Sequence, residues 1–140
     1  MKKAILILTA CSLFILSCKK NNTPVIDIDE MVDTTAQVEL SGIFMDGPYG
    51  SVTGGAKLYK ENDTFTLQLL NVTISNGPDL HVYISKEVQP VNFIDLGKLK
   101  STMGNQVYEI PGNPDFAEYK YALVHCKQYN HLFGSAILGQ

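Results

Sequence analysis

Thr64-Phe65-Thr66-Leu67-Gln68-Leu69-Leu70-Asn71-Val72-Thr73-Ile74 is the stretch that decides the fold class. Phe65, Leu67 and Leu69 alternate with polar partners, and in an extended chain such residues share one face because successive side chains point to opposite sides. Leu70, Val72 and Ile74 carry the apolar set on, one step out of phase. The run therefore predicts a strand with a β-bulge, or a crossing from one sheet to another, at Leu69-Leu70.

Downstream, Asn76-Gly77-Pro78-Asp79 supplies a turn, since Gly tolerates positive φ and Pro fixes its own. Leu80 to Ser85 then places Leu80, Val82 and Ile84 on one face and His81, Tyr83 and Ser85 on the other. Similar short segments, rich in β-branched and aromatic residues and parted by Gly, Pro, Asn and Asp, predict strands at 40–45, 52–59, 91–96, 106–110, 119–126 and 132–138. A single helical turn is expected near Asp115 to Glu118, and no run keeps a period near 3.6 for more than three turns. Gly54-Gly55 lies inside a strand-like run with no helix after it, which reads as a bulge rather than a phosphate cradle. The expected architecture is all-β, an antiparallel β-sandwich of about eight short strands, with a squat β-barrel as the alternative.

Upstream the character changes. Met1-Lys2-Lys3 precedes an apolar run, Ala4 to Leu16, of thirteen residues, whereas a helix needs about 20 to cross a bilayer. Residues 1–17 therefore read as a secretory signal. The closing Ile15-Leu16-Ser17-Cys18 resembles the lipobox of bacterial lipoproteins, which implies cleavage before Cys18 and acylation, palmitate included, of the new N-terminus. One acyl chain binds marginally, so stable attachment implies more than one. Lys19 stands where inner-membrane lipoproteins often carry Asp, which by the same resemblance points to the outer membrane. The polar, acidic stretch 18–39, with Asp27, Asp29, Glu30 and Asp33, reads as the lipidated N-terminus and a flexible tether, and 40–140 as one β domain.

Without the signal, nine lysines face fourteen carboxylates, a net charge near −5, and the chain has no arginine. Nucleic acid is an unsuitable partner for such a surface. Cys11 leaves with the signal and Cys18 is taken by lipid, so Cys126 stands alone and an intrachain disulfide is ruled out.

Tyr121, Leu123 and His125 alternate with Ala122, Val124 and Cys126 along one strand, so His125 points away from Cys126 and cannot easily activate it. Among aliphatic neighbours the thiol reads as a small buried hydrophobe, and such thiols are inert. A sharper pattern is Cys126-Lys127-Gln128-Tyr129-Asn130-His131, a Cys-to-His spacing similar to the copper loop of cupredoxins. Copper would further need His81 or His125 and an axial Met, but the last Met in the chain is Met103. Asp79 and His81, two apart on one face, form a candidate pair. The chain has no Gly-x-Ser-x-Gly elbow, His-Glu-x-x-His, P-loop or paired CxxC, so no enzyme is expected.

Taken together, several blocks resemble the electron-transfer DM-thirteen domain, found in bacterial lipoproteins and beside DOMON domains in Skeletor-type proteins. They are Ser41-Gly42-Ile43-Phe44, Thr53-Gly54-Gly55-Ala56, Asn76 through Tyr83, Asp95 through Lys100, Gly104 through Tyr108, Ile110-Pro111, Cys126 and Phe133-Gly134-Ser135-Ala136. The resemblance implies a sandwich-like fold and a redox or electron-transfer role at the cysteine matching Cys126, as a bare thiol or as a ligand to haem, with an envelope redox protein as partner. His125 departs from the family's aromatic residue before the cysteine, and His131 lies outside its pattern. A competing expectation is a binding or adhesion module that presents Tyr83, Tyr119, Tyr121 and Tyr129 to an envelope partner or carbohydrate.

Overall fold

A computed structural model describes residues 22–33 and 35–139. The signal segment and Cys18 lie outside the described residues. Nine strands form one continuous curled sheet: β1 (Asp27–Asp29), β2 (Gln37–Asp46), β3 (Val52–Glu61), β4 (Thr64–Ile74), β5 (Leu80–Ser85), β6 (Phe93–Lys98), β7 (Met103–Ile110), β8 (Tyr121–Cys126) and β9 (His131–Ile137). Their order is β1-β7-β4-β3-β2-β9-β8-β5-β6. Among the described residues no helix forms, and the expected turn at Asp115 is two amides, Glu118 and Tyr119, donating to the Asp115 carbonyl.

The sheet folds onto itself because β2 serves both halves. Its Gln37–Ile43 portion pairs with β3, and Phe44–Asp46 pairs with β9. Gly42 sits at the handover, where an added Cβ would fall on the backbone carbonyl of Ile137. The two halves close over one core in which Leu58, Leu67, Leu69, Val82, Ile84, Ala122 and Val124 are almost wholly shielded from water. Burying the leucine, isoleucine and valine side chains among them is worth about 1.5–3 kcal/mol each, the main force that holds the curl shut.

β4 follows its sequence pattern. Phe65, Leu67 and Leu69 are buried, and after a register shift Val72 and Ile74 resume the inward face. Asn71 absorbs the shift at φ 47°, its amide donating to Asn105 Oδ1 at 2.8 Å. Gly54, at φ 100°, lies against the same irregularity in β3.

The segment expected to be tether differs from that expectation. β1 adds a parallel strand to the edge of β7, Asp27 opposite Met103. Glu30 accepts from the Val107 amide at 2.9 Å and from Lys100 Nζ at 2.6 Å, while its carbonyl accepts from Gln68 Nε2 at 3.0 Å. Further back, the Thr23 amide donates to the Gly77 carbonyl at 3.4 Å and the Thr102 amide to the Pro24 carbonyl at 2.9 Å. A three-residue strand is too short to show alternation, and its hydrogen bonds are made by backbone, so composition alone gave it a tether's appearance.

The strands run so that every end falls at one of two poles. Asp46, Val52, Ile74, Leu80, Lys98, Met103, Cys126 and His131 share one, here the Cys126 pole; Gln37, Glu61, Thr64, Ser85, Phe93, Ile110, Tyr121 and Ile137 share the other, the Phe65 pole.

Candidate functional site

β8 separates two chemistries. Its inward face places Ala122, Val124 and Cys126 in the main core, with Cys126 1% exposed. Its outward face places Leu123 and His125 beside Tyr83 and Leu132 in a second, smaller apolar layer. His81 and His125 face each other directly across β5 and β8, and both belong to that outward layer. The three residues a copper site would need thus lie on opposite sides of the sheet.

The outward face is paved with rings. Tyr83 stacks between Phe93 at 4.4 Å and His125 at 5.3 Å, centroid to centroid. Burial chiefly, with the nearby carboxylates of Asp95 and Asp79, pushes the Tyr83 hydroxyl up to about 12, so it keeps its proton at neutral pH. His125 is 2% exposed, and neither ring nitrogen meets a partner in good hydrogen-bond geometry among the described residues, although the Asn130 side chain lies near enough to interact weakly with the ring. Burial holds its pKa below the usual imidazole range, His131 and His81 push the same way, and Asn130 opposes them.

Next to this row, a chain of alternating charge crosses the Cys126 pole. Lys98 Nζ lies 3.8 Å from Asp79 Oδ1, which lies 3.4 Å from His81 Nε2. His81 Nδ1 is 2.9 Å from Asp95 Oδ1, and Asp95 Oδ2 is 3.0 Å from Lys127 Nζ. Burial works to raise the Asp95 pKa, but His81, the Gly97 amide and Lys127 outweigh it and hold the carboxyl below its ordinary range. A carboxylate oxygen thus faces each ring nitrogen of His81. The Asp79–His81 neighbourhood was legible from spacing, whereas Asp95 and Lys127 join it only through the β5–β6 pairing and the turn after β8.

A second polar feature escaped sequence reasoning. Gln106, wholly buried, accepts at Oε1 from the Tyr108 hydroxyl at 2.8 Å and from the Lys100 and Ser101 amides at 3.2 Å each, and donates to the Ser101 carbonyl at 2.7 Å. It ties the 99–102 connection to β7, and a lone Gln in a strand pattern gives no sign of that.

The tyrosines do not form one presented surface. Of the four expected to be presented, Tyr83 is 2% exposed beneath Phe93, Tyr119 and Tyr121 are half-buried, and Tyr129 alone is open. Tyr129 instead joins Tyr49 around His131, whose ring stacks on Tyr49 at 3.7 Å.

With this geometry in place, one comparison is decisive. The family model described as Electron transfer DM13 matches residues 44–138. The chain belongs to the DM13 family. Comparison with curated proteins and with solved structures yields no match. The DM13 match takes in both faces of β8 and the whole imidazole and tyrosine row, and it leaves β1 and the start of β2 outside.

The groups that a DM13 redox role brings to mind can be tested against these residues. A haem held by Cys126 needs a cleft at the sulfur, but Cys126 packs among Leu80, Val124 and their neighbours in the core, and none of the main clefts among the described residues is lined by it. One of them, about 480 Å³ between Leu58, Phe65, Phe116 and Leu138, opens at the opposite pole. No group of three or more His, Cys, Asp and Glu side chains among the described residues is arranged to hold a metal. Neither haem at Cys126 nor a Cys-His-His copper centre fits this arrangement of side chains.

Proposed function

We propose that the protein is a lipid-anchored electron-transfer accessory of the bacterial envelope, held at the outer membrane by acyl chains on Cys18, with Cys126 as its redox-relevant group in the form of a bare thiol. The observation that carries this is the DM13 match, which spans nearly all of the domain and includes Cys126. Position supports it further: Cys126 is the last residue of β8 and is followed at once by the exposed turn 127–130, so unpairing one strand end would uncover the sulfur without dissolving the core. The partner in this reading is an envelope redox protein.

The test starts from the full chain purified from a bacterial envelope grown under oxidising and under reducing conditions. Mass spectrometry of the peptide containing Cys126 is expected to show an oxidised or mixed-disulfide fraction that changes with growth condition. A thiol that stays fully reduced in both, in a protein that is also colourless and metal-free, would end the redox reading.

A further inference from the structure

We infer that the Cys126 pole of the domain is seated against the phospholipid surface, with the Phe65 pole the farther of the two from the membrane. This rests on acylation of Cys18 as proposed above, and adds to it the face that meets lipid.

The length of the leash decides the orientation. The described residues begin at Asn22, and the chain is fixed there by Thr23 to Gly77 and by Pro24 to Thr102, both at the Cys126 pole. From Cys18 to Asn22 is four residue steps, and fully extended these reach about 14 Å. β4, by contrast, has eleven residues, which at about 3.3 Å each makes the sandwich over 30 Å from pole to pole. An acylated Cys18 therefore cannot lie in lipid while the domain stands on its Phe65 pole, and the Cys126 pole is the one held close to the membrane. Had residues 22–39 been loose, as their composition suggested, the leash would have allowed any orientation.

The surface at that pole is suited to the contact. Val25 and Ile26 are 63% and 64% exposed on the approach to β1, Met103 stands beside them, and Tyr49 and Tyr129 are 57% and 56% exposed around His131. Tyrosine, with an apolar ring and a wet hydroxyl, is favoured at a membrane interface. Exposed apolar side chains also occur at the other pole, Val88 and Val91 among them, so exposure alone would not choose between the two. Among the described residues the lysines of the seated pole, Lys98, Lys100 and Lys127, are already matched by Asp79, Glu30 and Asp95, so this face offers lipid an apolar contact. Seated in this way, the turn after Cys126 opens toward the bilayer.

The experiment uses the full chain, processed in a bacterial envelope, with Cys126→Ala and one new cysteine carrying a fluorophore. Gln128→Cys reports the Cys126 pole and Asn113→Cys the Phe65 pole, both exposed positions in turns or loops. The proteins are reconstituted into phosphatidylethanolamine–phosphatidylglycerol vesicles that contain a lipid with a nitroxide on its headgroup, and the acyl mass on Cys18 is read in the same samples. The expected result is severalfold stronger quenching at position 128 than at 113, little changed by salt. Equal or reversed quenching with the acyl mass present would overturn the orientation and leave the anchor standing. A Cys18 peptide without acyl mass would overturn the anchor and the orientation with it.

Discussion

Gly42→Val is expected to leave no folded domain under conditions where the parent chain is fully folded. Gly42 lies where β2 stops pairing with β3 and starts pairing with β9, and it touches the Ile137 backbone so closely that even a methyl group would sit on the carbonyl oxygen. Both neighbours are backbone in paired strands, so relief cannot come from a rotamer change. Overpacking a core usually costs about 1–3 kcal/mol, and here the displacement also breaks the hydrogen bonds between Ser41 and Gly139, which exchange amide and carbonyl at 2.8 and 2.9 Å. A total of about 4 kcal/mol or more is expected, comparable to the whole stability of a small domain. Urea unfolding followed by far-ultraviolet circular dichroism measures it. Ile43→Thr, one residue on at an outward position that is 76% exposed, should shift stability by no more than about 0.5 kcal/mol. If Gly42→Val folded as stably as that neighbour, the shared-strand account of the curl would be wrong.

His125→Phe is expected to stabilise the protein, by about 1–2 kcal/mol at pH 7, because it replaces a buried ring with two unpartnered nitrogens by one that needs none. Phenylalanine keeps the stack on Tyr83 and the apolar contact with Leu132. The gain should grow on acidification. His125 has a folded-state pKa below its unfolded value near 6.5, so the stability it retains as a neutral ring is complete above that pH and is lost as pH falls toward the depressed value. The wild-type chain therefore loses stability between pH 7 and 5 through this group, and His125→Phe removes that part of the slope. Urea midpoints at pH 7 and 5 decide the matter: a variant that is less stable, with the wild-type pH slope intact, would mean that the imidazole is satisfied in solution, with the Asn130 side chain the nearest candidate.

Much of this domain could be read before any coordinates. The apolar phase slip in β4 announced its bulge because a strand must turn its hydrophobic residues inward on both sides of an irregularity, and the boundaries of β4 and β5 coincide with the expected ones. The opposition of His125 to Cys126 was likewise legible, since alternation is a property of the backbone alone. What could not be read depends on which strands become neighbours. Nothing local tells that β6 brings Asp95 to His81, that Gln106 turns inward to hold the 99–102 connection, or that three residues around Ile28 would dock on β7. Tyr83 misled for a related reason: outward-facing strand residues are expected to be wet, but Phe93 folds over this one and removes it from any presented surface.

The redox account depends on Cys126 being reached by a local opening of the end of β8, short of unfolding of the whole domain. Its rate of reaction with an excess of a water-soluble maleimide, followed at increasing urea concentrations well below the unfolding midpoint, tests this most directly. A rate nearly independent of urea, corresponding to an opening free energy well below the global stability, is the predicted result. A rate that climbs with the full urea dependence of global unfolding would show that the sulfur is uncovered only when the core is lost, and would contradict the account.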